Sequence, residues 1–261
     1  MPNLKIVSPS KESEQPLNNP ITVVKRSLNI NTTVKKHSHS WGQFVYAHKG
    51  VLSVVTADEQ YIVPPEQAVW LLPHIEHEVS AISDTELTSF YVDNTLLHQL
   101  PAKNTVLEVN DFLKALILEA NNIDENYQWK STDGRLLQLI MDRLAIAPKV
   151  ILQLPTPKDP RLLKMLTIIQ NNPATGYNLK QWGTIVGAST RSLSRLFKSE
   201  TGLSYRQWRQ RLNVQIAISQ LSTDQTITSI SLNLGYESAA AFTHMFKQNT
   251  GKTPSFYRNK I

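Results

Sequence analysis

One stretch of the C-terminal half of this chain occurs twice. GASTRSLSRLFKSETGLSYRQW and GYESAAAFTHMFKQNTGKTPSFY align so that Phe197-Lys198 pairs with Phe246-Lys247, Thr201-Gly202 with Thr250-Gly251, and Trp208-Arg209 with Tyr257-Arg258, all 49 residues apart. A chain that repeats a unit must fold that unit twice, so repetition limits the available architectures before any single residue is interpreted. The leading glycines, Gly187 and Gly235, are 48 apart, which puts one extra residue in the second turn. Each copy reads as a helix, a glycine-containing turn and a second helix opened by a serine, Ser189 or Ser238, whose hydroxyl can cap it. That is a helix-turn-helix arrangement. No alternating strand pattern follows residue 160, so an all-α domain is expected over residues 161–261.

Leu193, Leu196 and Phe197 in the first copy, and Phe242, Met245 and Phe246 in the second, fall at i, i+3 and i+4 and are expected to face the core. The other face of the first copy carries Thr190, Arg191, Ser194, Arg195 and Lys198. Residues 158–261 hold 14 Lys and Arg against 4 Asp and Glu, a net charge of +10, while the rest of the chain holds 13 against 17. Such a basic face serves nucleic acid, an anionic membrane surface or an acidic partner, or is simply solvated. Duplication of a helix-turn-helix inside a basic domain favours DNA. Arg can reach guanine O6 and N7 together, and Lys can pair with phosphates.

The remaining residues are organised differently. Residues 1–20, rich in Ser, Pro, Asn and charge, read as a flexible tail. Residues 21–104 contain short β-branched and aromatic runs such as ITVVK, GQFVYA, VLSVVTA and LTSFYVD, the pattern of a small barrel or sandwich. Residues 105–147 change to helical periodicity in DFLKALILEANN and GRLLQLIMDRLAIA, giving a two-helix connector with a face available for dimerisation. Four prolines, at 148, 155, 157 and 160, mark 148–160 as a linker. The 261 residues include no Cys, which excludes disulfides, thiolate metal sites and a Cys nucleophile. No segment approaches the roughly 20 apolar residues of a transmembrane helix, and the N-terminus has no basic start followed by an apolar run. A cytoplasmic location without membrane contact is expected.

The C-terminal block Ile227, Ile230, Leu234-Gly235-Tyr236-Glu237-Ser238, Phe242, Phe246-Lys247, Gly251, Thr253-Pro254 and Tyr257-Arg258 resembles the AraC/XylS-type bacterial transcription regulators, over about 100 residues. The resemblance implies two helix-turn-helix units joined by a long helix, about Tyr205 to Leu221, that present two recognition helices to successive major grooves. Carried over by position, base-facing sites fall on Arg191, Ser194 and Arg195, then on Ala239, Ala240, Ala241, Thr243 and His244. Three successive alanines lack hydrogen-bonding side chains. The first helix is therefore expected to supply most base readout, and the second to position the protein on phosphates through Lys247 and His244.

Six of the seven histidines, at 37, 39, 48, 74, 77 and 98, lie in the acidic half. On an unbroken strand His37, His39, Trp41 and Gln43 would face one side. His77 from a neighbouring strand could then complete a three-histidine site for a divalent metal, with Gln43 or water as a further ligand. Equally, these histidines could only hydrogen-bond inside a cavity. His48 and His98 have no such setting. Residues 30–93 resemble the cupins, whose first motif places two His one residue apart, then an acid, then a Gly, here Gly50, and whose second carries a further His. The family's Glu is Gln43, and the Gly of its second motif is His74. HxHxWGQ, Pro64-Pro65, Ala68-Val69-Trp70 and His77-Glu78-Val79 together are similar to a cupin-bearing branch of the AraC-type regulators. Trp41, Tyr46 and Trp70 either line a ligand pocket or belong to the core.

The expected protein is an α+β multidomain chain with a cupin-like β-barrel, a helical connector and an all-α double helix-turn-helix domain. Its expected function is sequence-specific transcription regulation, controlled by a small ligand or metal in the barrel. Promoter DNA, an effector, a second copy of the chain and, for an activator, RNA polymerase are the expected partners. No certain cofactor and no enzymatic activity are expected. A cupin metalloenzyme using His37, His39 and His77 is the alternative, weakened by Gln43 in the acid's place.

Overall fold

The computed structural model describes residues 5–9, 17–150 and 153–261. Two compact units divide the chain, the first mainly residues before 152 and the second mainly residues after it.

In the first unit the strands do not close into one ring; they form two sheets. One contains β1 (Lys5–Val7), β3 (Thr32–His37), β8 (His77–Ala81), β5 (Leu52–Thr56) and β6 (Glu59–Val63), in that spatial order. The other runs β11 (Lys149–Val150), β10 (Thr105–Glu108), β7 (Gln67–Leu71), β4 (Gly42–Lys49), β9 (Thr85–Val92) and β2 (Ile21–Leu28). Alternation decides what each strand buries. On β4, Val45 and Ala47 join Leu52, Val54, Val69, Leu71, Val79 and Leu87 in a core contributed by both sheets. Phe44 and Tyr46 point the other way, with Trp70 and Phe90, toward helices α1 (Asp111–Ala120) and α2 (Thr132–Ala145). These helices bury Leu113, Ile117, Leu137, Ile140 and Met141 on that outer sheet face. Tyr127 closes the edge, its hydroxyl donating to Ile21 O at 2.8 Å. The turn from β4 to β5 needs a glycine: Gly50 has φ +79°, and a Cβ there would lie 2.3 Å from Asp84 O.

Three segments differ from the sequence expectation, one of them Thr105–Glu108, read as the start of the helical connector but paired antiparallel with Gln67–Trp70 because its apolar Val106 and Leu107 fit the two faces of the sheet. Lys5–Val7 pairs in parallel with Thr32–Val34, so the segment read as a tail contributes an edge strand. Ile6 and Val7 are β-branched, and an open sheet edge offers them backbone partners. Residues 1–4 and 10–16 of that segment lie outside the described residues. At the start of the Pro-rich stretch, Lys149 and Val150 pair with Leu107 and Val106, and so belong to the sheet.

The second unit is helical: α3 (Pro160–Asn171), α4 (Leu179–Val186), α5 (Thr190–Thr201), α6 (Tyr205–Leu221), α7 (Ile227–Asn233), α8 (Ala239–Thr250) and α9 (Pro254–Arg258). Its caps are local and repeated. Ser189 accepts from Ser192 N and Ser238 from Ala241 N, while Gly202 and Gly251 end α5 and α8 in left-handed conformation. The repeat extends into the packing: Phe197 meets Trp208 with ring centroids 5.5 Å apart, and Phe246 meets Tyr257 at 5.3 Å, the same pair 49 residues on. Arg209 donates to Pro173 O, just before α4, and Arg258 donates to Gln225 O, just before α7. Each arginine thus ties the end of its copy to the chain entering it. Burial holds the Arg209 guanidinium below its usual pKa, and the carbonyl compensates part of that cost.

Candidate functional site

Two sets of candidate site residues stand out, one on the outside of the helical unit and one inside the sheet unit. On α5, Leu193 and Phe197 are buried, whereas Thr190, Arg191, Ser194, Arg195 and Lys198 are exposed. Arg191 and Arg195 are one helical turn apart and share a face. Lys198 also donates from Nζ to Gly202 O at 2.9 Å, leaving further donors on its ammonium. The acid of α5, Glu200, accepts from Lys158 N and Asp159 N and so is engaged at the start of α3.

On α8, Phe242, Met245 and Phe246 are buried. Ala240, Ala241, His244 and Lys247 are exposed, and Ala239 and Thr243 are half-buried. The 49-residue register sets Ala240 in the place of Arg191 and His244 in that of Arg195. His244 Nε2 lies 3.4 Å from Gln248 Nε2, a long contact within the helix. The two helices thus present equal geometry and unlike chemistry.

Inside the sheet unit, His37, His39 and His77 converge, although the chain is not one strand from 37 to 43. β3 stops at His37 and β4 begins at Gly42, with a turn between them. Pairing brings His37 opposite His77 across the β3–β8 ladder, and the turn returns His39 to the same place. One ligand nitrogen from each ring lies within 4.8 Å of the others. The ring centroids are 4.4 Å apart for His37 and His77 and 5.2 Å for His39 and His77.

Each imidazole is oriented by a backbone carbonyl. Nδ1 of His37 donates to Lys35 O at 2.7 Å, that of His39 to Trp41 O at 2.8 Å, and that of His77 to Ile75 O at 2.8 Å. A carbonyl only accepts, so in the neutral rings the proton sits on Nδ1 and Nε2 keeps its lone pair. Burial lowers the pKa of all three, that of His77 to about 4, which keeps the rings neutral at pH 7. His39 Nε2 lies 3.0 Å from the Gln43 side-chain amide, which reaches Ser89 Oγ at 3.3 Å with its other end. With the amide turned so that its NH2 faces His39, both ends are satisfied. His77 Nε2 is buried without a partner among the described residues. Three carbonyl-oriented imidazoles with one orphaned lone pair fit a divalent metal of the zinc type, the carbonyls acting as the outer support such ligands need.

His74 stands where the cupin pattern has Gly, and the backbone explains that pattern: its φ is +60°, a left-handed value. Its N–H donates to His39 O at 2.8 Å, fixing the turn that carries His39.

The three aromatic residues expected at a pocket separate. Trp41 stacks on His39, with centroids 5.2 Å apart and planes 3° from parallel. Tyr46 and Trp70 lie on the opposite sheet face among the α1 and α2 side chains, with Trp70 Nε1 donating to Pro101 O at 2.9 Å. The cavity beside the histidines is instead lined by Arg26, Val34, His37, Gln43, Ser89 and Tyr91, among others, and holds only about 30 Å³. That is far below the ~300 Å³ at which small-molecule pockets begin. Arg26 and Tyr91 come from β2 and β9 by sheet register, with Gln43 opposite Tyr91, and no local motif announces them. His48 contacts Glu86 at 3.2 Å, and His98 bonds within its own turn.

A family model described as an AraC-like ligand binding domain matches residues 28–147, and one described as a helix-turn-helix domain matches residues 182–260. The HTH-type transcriptional regulator NimR of Escherichia coli (strain K12) is 31% identical over 221 residues, covering 85% of this chain and 81% of that protein. This chain is a member of the AraC family of transcription regulators. The HTH-type transcriptional regulator RipA of Corynebacterium glutamicum is 31% identical over 122 residues, which is 47% of this chain and 35% of that protein. The β-rich unit is accordingly a ligand-binding domain and the helical unit a DNA-binding domain, and the relatives are named as regulators, not enzymes. Among the described residues no helix is long and apolar enough to cross a membrane.

Proposed function

We propose that this regulator binds promoter DNA sequence-specifically through α5 and α8, and that a divalent metal at the histidine cluster, or a small effector held elsewhere in the sheet unit, adjusts that binding. The observation that carries the DNA assignment is the pair of serine-capped helices with buried aromatic faces, the first bearing Arg191 and Arg195 one turn apart on its exposed side. Arg191, Ser194 and Arg195 read base edges. Thr190, Lys198 and Lys247 pair with phosphates, while Ala239, Ala240, Thr243 and His244 set the second helix against its groove. The test is a salt titration of operator affinity: log affinity falls steeply and linearly with log salt if several phosphates are neutralised. A flat response overturns the assignment.

In the sheet unit, His37, His39 and His77 hold the metal through Nε2, with Gln43 as a neutral further contact. The metal would supply positive charge and an open ligand position. The three ring nitrogens are neutral, so the ion keeps its full charge, and the Gln43 amide becomes a ligand only if it turns its oxygen to the ion. Elemental analysis of untagged protein beside a His37→Ala, His39→Ala double variant, after metal exposure and exchange, tests this. About one ion per chain in the parent and none in the variant is the expected result; no retained ion in either removes the metal and leaves an organic effector or a purely structural sandwich.

We also infer a homodimer, from the apolar side chains that the two helices of the sheet unit leave exposed. α1 and α2 expose Phe112 and Leu139, Ile146 just after α2 is 68% accessible, and Arg143 lies over the Phe112 ring at 5.7 Å. Two copies on adjacent sites raise effective concentration on DNA. Concentration-dependent sedimentation of the parent, abolished in Ile146→Asp, is the expected behaviour. An effector shifts DNA affinity only as far as it binds one arrangement better than the other. For an activator the remaining partner is RNA polymerase, and the setting is the cytoplasm.

A further inference from the structure

Between α5 and α8 the register is exact enough to compare residue by residue, and the difference has a consequence for the DNA itself. Leu193, Phe197 and Lys198 correspond to Phe242, Phe246 and Lys247, so the two helices bury the same face and carry the same outer lysine. What changes is the leading turn. Thr190, Arg191 and Ser192 become Ala239, Ala240 and Ala241, and Arg195 becomes His244. Ala240 and Ala241 are exposed at the N-terminal end of α8, just after its Ser238 cap, while His244 contacts Gln248 in its own helix.

An exposed methyl offers no hydrogen bond to a base edge. In the major groove the one base feature that an alanine side chain recognises is the thymine C5-methyl group. Short side chains also let the helix backbone come close to the bases. We propose that the operator has two chemically unlike half-sites: one with G·C pairs facing Arg191 and Arg195 of α5, and one with T·A pairs whose thymine methyls pack on Ala240 and Ala241 of α8. Ala240 and Ala241 are then specificity-determining residues that read methyl groups. The inference rests on the DNA-binding reading above.

The test uses the full chain. Operators are selected from random duplex DNA, and each thymine of the selected site is then replaced singly by deoxyuracil, which removes only the methyl group. Burying one methyl contributes about 0.8 kcal/mol, so each uracil facing α8 is expected to weaken binding ~4-fold. Uracils elsewhere should have little effect. The variant A240R restores the residue of the first copy at an exposed position, and is expected to shift the selected base there from T to G. Uniform tolerance of uracil, or a selected second half-site without thymine preference, overturns the inference while leaving a sequence-specific regulator. Failure of the full chain to bind any selected duplex in a salt-dependent way overturns the DNA-binding reading as well.

Discussion

The helical unit and the sheet unit use buried polar groups in opposite ways. In the helical unit Arg209 and Arg258 each donate to a backbone carbonyl and serve the fold, while most of the groups assigned to DNA, Arg191, Arg195 and Lys198 among them, lie on the surface. In the sheet unit two buried imidazoles and the half-buried His37 have their Nδ1 protons bound, and His77 Nε2 keeps a lone pair without a partner among the described residues. The lesson concerns where chemistry can be placed. A helix surface offers a rigid outward face every 3.6 residues, which suits a large partner such as a duplex. A pair of sheets offers an interior, which suits an ion or a small ligand.

The comparison breaks first if the repeated arginines serve DNA instead of the fold. Arg209→Met removes a charge-assisted hydrogen bond to Pro173 O and should cost about 1.5–3 kcal/mol in urea unfolding, with operator preference unchanged. Altered base preference at full stability would reassign Arg209 to the interface.

Next comes the pH response of metal-stripped protein. His77 titrates near 4 in the folded chain against 6.5 for the free group, so the unfolded chain takes up its proton first as pH falls. Its contribution is complete above pH 6.5 and is lost as pH falls from about 6.5 toward 4. At pH 5 the loss is about 2 kcal/mol relative to pH 7. His77→Gln should flatten this part of the curve, and an unchanged curve would mean that the ring is not buried as described.

The smallest effect sharpens the account of the turn beside His39. His74 holds a left-handed φ that glycine adopts freely, so His74→Gly should leave stability equal or raise it by up to about 1 kcal/mol, read as a shift in thermal midpoint. A clear loss would show that the His74 ring itself supports the site.

How much of this was legible in the sequence differs between the units for physical reasons. Helix faces and caps are local, so Ser189, Ser238 and the core triplets could be read directly, as could α6 over Tyr205–Leu221. The histidine trio was legible from composition, but not its geometry. His37 to Gln43 is strand, turn and strand, and His77 meets His37 through a ladder that no local pattern encodes. Trp41, Tyr46 and Trp70 are all aromatic but do not share a sheet face, and the opposite parity of Gln43 and Tyr46 on β4 was the available signal. Lys5–Val7 and Lys149–Val150 pair because a sheet edge is open to them, which depends on the assembled fold. Arg209 and Arg258 entered the sequence reading only as repeat partners and as part of the net charge, and their carbonyl partners appear only once the copies are packed.

The most direct test of the outward-facing assignment is the specificity ratio of Arg195→Ala, measured as its affinity for a selected operator and for unrelated duplex at one salt concentration. Loss of a bidentate contact to guanine costs about 1–3 kcal/mol on the operator alone, so the ratio should fall by roughly 5- to 150-fold while affinity for unrelated DNA changes little. Equal loss on both duplexes would make Arg195 a phosphate contact and contradict base readout by α5.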